Sequence, residues 1–227
     1  MSLFSLFFNS FLTLHYIRFP LSNYTYSLFQ ADSSENLLSK DGAVYYYGAI
    51  VYYEKANTFF LKLRDEIAWE NDEIIMFGKR IVTKRKVAWY GSLPFEYTYS
   101  KVKKRAIIWN ETLLELKTLV EVQTGCTFNS CLLNLYHSGE EGMAWHSDDE
   151  PELLENAAIA SLSFGAERTF EFKHKKDQSK VKVLLEHGSV LLMKGPTQKH
   201  WLHRLPPSKK VQGMRINLTF RTIESSF

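Results

Sequence analysis

Only two cysteines occur among 227 residues, Cys126 and Cys131. They are too few for a disulfide framework and lack the spacing of a zinc motif, so they fit a reducing compartment. Both are expected as buried apolar side chains. Charge of one sign is also scarce, since 28 Lys and Arg against 25 Asp and Glu leave a formal net charge of +3. Function therefore cannot rest on a global field, and the local distribution of charge matters more. Internal repeats and low-complexity tracts are missing, as is any Lys or Arg before Arg18. The apolar run at the start thus lacks the charged flank of a signal peptide, and Asn9, Ser10 and His15 interrupt it. Residues 1–35 are expected to form a poorly ordered extension, not a membrane anchor.

What is present is an ordinary globular composition, with 45% hydrophobic and 23% charged residues. The length suits one domain, expected over residues 36–227. Apolar positions at helical spacing predict helices over Ala56–Trp69 and Thr112–Thr124. Short apolar runs predict strands at Asn129–His137, Ala158–Phe164, Thr169–His174, Lys180–Glu186, Ser189–Lys194 and Met214–Thr222. With Gly-bearing turns such as His187-Gly188-Ser189, they argue a mainly β fold with flanking helices (α+β), an antiparallel sandwich or jelly roll.

Alternate side chains of an extended strand share a face, so His146 and Asp148 point the same way as a pair of metal ligands. His203 would complete two histidines and one carboxylate, the facial triad of non-haem Fe(II) oxygenases. His137, His174, His187 and His200 are left outside that set. The stretch Arg215 to Arg221, read as a strand, puts Arg215, Asn217, Thr219 and Arg221 on one face and Ile216, Leu218 and Phe220 on the other. Two guanidiniums with an amide and a hydroxyl between them describe a receptor for a dianion, because Arg binds carboxylates through a rigid fork. Asn134 and Tyr136, two residues apart, could close the same pocket. Zinc tolerates these ligands too, but zinc hydrolysis has no use for a dicarboxylate receptor.

Residues 79–105 hold nine basic positions against one acid, Glu96, interleaved with Trp89, Tyr90, Phe95, Tyr97 and Tyr99. Cations for phosphates and flat rings for bases are what nucleic acid asks for, although a solvated basic hairpin would look similar. Lys173, His174, Lys175, Lys176, Lys209 and Lys210 offer further cations.

In order and spacing, Asn134-Leu135-Tyr136, His146-Ser147-Asp148-Asp149-Glu150, Ile159 to Gly165, His187-Gly188-Ser189, His200 to His203 and Arg215 to Arg221 resemble the AlkB family of Fe(II)/2-oxoglutarate dioxygenases. The likeness covers residues 36 to 223. It implies a double-stranded β-helix (jelly-roll) core at about 127–223, preceded by a nucleotide-recognition lid at about 70–105. The metal would be Fe(II) on His146, Asp148 and His203, with 2-oxoglutarate and O2 as co-substrates. Arg215 would fork onto the distal carboxylate of 2-oxoglutarate, helped by Tyr136 and Asn217, while Asn134, Thr219 and Arg221 line the rest.

Within the lid the resemblance is to the branch that repairs duplex DNA. Phe77, in Met76-Phe77-Gly78-Lys79, stands where an apolar wedge enters the base stack. Tyr97-Thr98-Tyr99 stands where an aromatic ring stacks on the flipped base, with Tyr99 replacing that branch's usual Phe. Asp149 is a candidate acceptor for the exocyclic amine of that base, the alternative being that Asp149 and Glu150 form a solvated turn before Pro151. The implied activity is oxidative demethylation of 1-methyladenine- and 3-methylcytosine-type lesions in DNA, duplex or single-stranded, with RNA as an alternative. Such an enzyme would act inside the cell, in cytoplasm, nucleoid or nucleus, and nothing demands more than a monomer. Two rivals are a dioxygenase that hydroxylates a protein or small molecule, and a silent jelly-roll module that only binds nucleic acid.

Overall fold

The computed structural model describes residues 34–76, 79–99 and 102–224, and the predicted extension therefore lies almost wholly outside the described residues. The chain runs β1 (Ala43–Ala49), α1 (Tyr53–Glu66), β2 (Glu70–Met76), β3 (Lys79–Gly91), β4 (Glu96–Tyr99), β5 (Val102–Arg105), β6 (Ile107–Ile108) and α2 (Glu111–Thr124). It continues through β7 (Ser130–Tyr136), β8 (Met143–His146), β9 (Ile159–Gly165), β10 (Arg168–His174), β11 (Lys180–Leu185) and β12 (Ser189–Lys194) to α3 (Thr197–His200), β13 (Trp201–Leu205) and β14 (Arg215–Arg221).

Two sheets make the core. The larger has the order β1-β12-β9-β14-β7-β3-β2, with β6 beside β3, and the smaller has the order β11-β10-β13-β8. Every pairing in them is antiparallel except β3 with β6. Val44, Ile159, Leu191 and Met193 of the larger sheet pack on Phe172, Leu185 and Trp201 of the smaller. On its other face the larger sheet buries Phe164, Ile216, Leu218 and Phe220 against Phe59 and Leu63 of α1 and Leu113, Leu116 and Val120 of α2. This is the predicted jelly roll with flanking helices. Within the stretch 70–105, where a lid is expected, β3 pairs with β7 over Lys86–Gly91, so the hairpin β2–β3 extends the larger sheet. Only β4 and β5 form a sheet of their own.

Both helices begin before their predicted starts. Asn110 caps α2 by accepting the Leu113 N–H at 2.8 Å, an arrangement worth about 1 kcal/mol. Gly125 closes the helix in the left-handed region, its N–H on the Glu121 carbonyl. Helix α1 stops at Glu66 because Ile67 turns extended, while the Trp69 indole N–H satisfies the Leu63 carbonyl at 3.1 Å. Cys131 is buried as expected, but Cys126 is only half-buried.

Gly165 ends β9 at φ 86°, and a Cβ there would meet the Met214 carbonyl oxygen at 2.3 Å. That close approach sets the register in which Arg215 faces Gly165. The Gly165 N–H is itself bonded to Nδ1 of His187 at 2.8 Å. Burial pushes the His187 pKa below its ordinary 6.5, and the ring sits edge-on to Tyr53 and Phe164. An unfolded chain takes up this proton first, so the stabilisation is complete above about pH 6.5 and is lost as pH falls through the lower folded value. An NMR titration of His187 is expected to give a midpoint below 6.5, and a midpoint at or above that value would contradict the buried acceptor.

Candidate active site

Strands β8 and β13 place His146 directly opposite His203 in register. Directly paired residues on one face of a sheet lie close enough for their side chains to touch. The two Nε2 atoms are 3.1 Å apart. Asp148 is not in the strand as expected, because β8 ends at His146. It reaches the same place because the intervening Ser147 donates its hydroxyl to the Trp201 carbonyl at 3.1 Å, and the Asp148 N–H bonds to Gln198 Oε1 at 3.0 Å. Asp148 Oδ1 then stands 3.6 Å from both Nε2 atoms.

An ion about 2.1 Å from each of three ligands sits over a triangle with edges of roughly 3.0 to 3.4 Å. The observed triangle is open by a few tenths of an ångström on the Asp148 side and closes around such an ion with side-chain adjustment. His146 donates from Nδ1 to the Ala144 carbonyl at 2.9 Å, which leaves its Nε2 lone pair facing the centre. This is the outer-shell bond by which proteins orient a metal-binding imidazole. Burial and the neighbouring His203 lower the His146 pKa to about 4, against the pull of Asp148. Phe170 stacks on His203 at 5.4 Å. Burial disfavours the Asp148 carboxylate, but Arg221 and both imidazoles outweigh it and hold the carboxyl well below its usual range.

A cavity of about 400 Å³ opens from this triad and is lined further by Asn134, Tyr136, Ser161, Arg215, Asn217, Thr219 and Arg221. The predicted alternation of the last strand is observed, with Ile216, Leu218 and Phe220 fully buried in the core beneath. β14 lies between β7 and β9, with Arg215 opposite Tyr136 and Asn217 opposite Asn134. Arg215 is 2% exposed, packs on the Tyr136 ring at 5.6 Å, and donates to Ser163 Oγ at 2.9 Å. No carboxylate pairs with it among the described residues, and its Nε has no partner. Burial draws its pKa down to about 10. A buried guanidinium in that condition is costly, and an anion is what relieves it. Asn134 Oδ1 is likewise buried without a partner. Arg221 lines the same cavity but is already engaged, by Asp148 at 3.1 Å and Glu150 at 3.3 Å.

A sequence profile of the 2OG-Fe(II) oxygenase superfamily matches residues 42–221. Human "DNA oxidative demethylase ALKBH2" is 39% identical over 180 residues, which cover 74% of this chain and 69% of that protein. The chain belongs to the AlkB family of 2OG-Fe(II) oxygenases. "Alpha-ketoglutarate-dependent dioxygenase alkB homolog 3" is 40% identical in Homo sapiens and 41% in Bos taurus, covering 78% and 75% of this chain. The match spans 65% and 62% of those two proteins. The solved structure of OsALKBH1 superposes with a TM-score of 0.55 at 15% identity, over 82% of this chain and 98% of that one, which is a likeness of fold. An AlkB-family oxygenase works with Fe(II), 2-oxoglutarate and O2. The residues here fit those groups: one lone pair is already aimed at the metal position, and an uncompensated guanidinium faces the same cavity.

The other residues singled out in the AlkB-type sequence are distributed as follows. Asp149 is exposed at the cavity rim. Lys79 lies in β3 opposite Met76, and Tyr97, Thr98 and Tyr99 lie in β4. Phe77 and Gly78 fall outside the described residues. Sequence reasoning missed Ser161 and Ser163, which bond Asn217 and Arg215. Their signal was two small polar residues at two-residue spacing in an otherwise apolar strand. It also missed the buried Asp72–Arg85 ion pair that lines the cavity with Met143. Among the described residues, no helix is long and apolar enough to cross a membrane.

Proposed function

We propose that this chain oxidatively demethylates N-alkylated bases of the 1-methyladenine and 3-methylcytosine type in DNA, duplex or single-stranded, with RNA as an alternative polymer. The observation that carries the reading is one cavity holding both a His2Asp triangle and a buried guanidinium without a carboxylate. Metal hydrolysis needs the first feature and not the second.

His146, Asp148 and His203 hold the metal. Arg215 takes the distal carboxylate of 2-oxoglutarate through its fork, with Tyr136 and Asn217 beside it and Asn134 and Thr219 lining the remainder. Arg221 acts through Asp148, fixing the carboxylate that ligates. When bound, Fe(II) couples the reduction of O2 to the decarboxylation of 2-oxoglutarate, giving succinate and CO2 and placing one oxygen atom in an N-methyl C–H bond. The hydroxymethyl base then loses formaldehyde and is restored.

On the substrate side, the base must leave its stack to reach the cavity, and a methyl group on the pairing edge lowers the cost of extrusion. By the family resemblance Phe77, Gly78 and Lys79 contact the substrate, Phe77 entering the stack where the damaged base has left. Tyr97, Thr98 and Tyr99 form the stacking strand, and Asp149 at the rim accepts from the exocyclic amine. Residues 36–227 act as one domain and as a monomer, inside the cell where alkylated DNA lies.

The test is to incubate the full chain with methylated and unmethylated oligonucleotides, Fe(II), ascorbate and 2-oxoglutarate. Formaldehyde and succinate are expected in equal amounts from the methylated strand only. Succinate without formaldehyde would move the activity to a protein or small-molecule substrate. Neither product would leave a nucleic-acid-binding module.

A further inference from the structure

A second cluster of two histidines and an aspartate lies apart from the triad. Asp41 stands just before β1, His174 ends β10, and His200 ends α3. The ligand atoms of all three lie within 4.8 Å of one another. His174 is 3% exposed, and its Nε2 makes no hydrogen bond although Asp41 Oδ2 is only 3.2 Å away. The other ring nitrogen, Nδ1, accepts the Asp177 N–H at 3.3 Å and lies 3.0 Å from Asp177 Oδ1. Asp177 thus fixes the ring through Nδ1, as an outer-shell partner fixes a metal-binding imidazole, and Nε2 is left facing Asp41. The His200 ring runs nearly parallel to that of His174, at 14° and 6.5 Å between centroids, and has no hydrogen-bond partner among the described residues.

The frame around the cluster is built. Trp201, 1% exposed, meets His174 edge-on at 5.0 Å and donates its indole N–H to the Lys40 carbonyl at 3.1 Å. One side chain thus ties the residue before Asp41 to the residue after His200. Lys40 itself pairs with Asp177, on the Nδ1 side of the ring. The competing account leaves His174 held between Asp41 and Asp177 with no ion. It requires a hydrogen bond from Nε2 to Asp41 that the geometry does not make, and it leaves His200 without a part.

We propose that Asp41, His174 and His200 form a second metal site for a divalent cation of the zinc type, bound through two imidazole nitrogens and one carboxylate oxygen with water completing the shell. Two nitrogens and a hard oxygen suit zinc, which binds such sets more tightly than Fe(II) does. The half-exposed Asp41 side chain leaves an entry path. Occupation would brace the segment before β1 against the ends of β10 and α3, three residues before His203 on β13. The site does not depend on the reaction proposed above.

The test uses the full chain with its first site disabled by His146→Ala and Asp148→Ala, stripped with a chelator and titrated with zinc chloride. Elemental analysis is expected to find one zinc per chain, and zinc is expected to raise the thermal midpoint. Adding Asp41→Asn and His200→Gln is expected to weaken zinc binding at least about 100-fold and to abolish that rise. Asn tolerates the left-handed backbone of Asp41, whose φ is 52°. The proposal fails if the triad-disabled chain binds no zinc, or if zinc binding is unchanged by the added substitutions. Should the fourfold variant not fold, His200→Gln alone in the triad-disabled chain decides by the same reading.

Discussion

His203→Ala is expected to abolish formaldehyde and succinate release together, by on the order of 10³-fold or more, because the oxidative chemistry belongs to the metal and the protein supplies its placement. His203 is 3% exposed, and it faces His146 across β13 and β8. No other imidazole of the described residues reaches that triangle, since His174 and His200 belong to the separate cluster. The side chain also receives the stacked Phe170 ring, so its removal opens a void beside the metal position. Fold loss is separated from ligand loss by circular dichroism and by 2-oxoglutarate binding through Arg215, both of which should persist in part. If both products were retained within tenfold of the parent in a folded variant, His203 would not be a ligand.

Arg215→Met is the second large effect, and it should act in opposite directions on binding and on stability. Truncating one partner of a buried charge pair costs about 2–5 kcal/mol, which is about 30- to 5,000-fold in affinity for 2-oxoglutarate. Without the diacid, however, the same guanidinium is buried with its Nε unpaired. An apolar side chain of similar length removes that burden, so the ligand-free variant should melt no lower than the parent. Calorimetry with 2-oxoglutarate and a thermal melt without it check the two halves. A co-substrate affinity within about threefold of the parent would remove Arg215 from its role.

The parts of this molecule that were legible in its amino-acid order are those where chemistry and periodicity coincide in one segment. Arg215, Asn217, Thr219 and Arg221 alternate with Ile216, Leu218 and Phe220, so both faces of β14 could be assigned from spacing alone. The ligands were legible as a set, but not the way Asp148 is held. Its position rests on Ser147 bonding to Trp201, a contact between segments 54 residues apart. The pairing of β3 with β7 was hidden for the same reason, since partner choice between strands leaves no local mark. Ser161 and Ser163 looked like neutral filler in an apolar strand until the register put them against Asn217 and Arg215. Asp41, His174 and His200 come from three distant segments, each with an unremarkable local pattern, and only the folded chain joins them.

The strand that carries Arg215 has neighbours bonded to it along both edges and wears a helical layer on its back, so it cannot shift without taking the whole scaffold with it. The hairpin β2–β3 lies at one end of that sheet, and β4–β5 forms a two-stranded sheet of its own. Substitutions in those outer hairpins are therefore expected to leave the seating of Arg215 and its neighbours on β14 undisturbed.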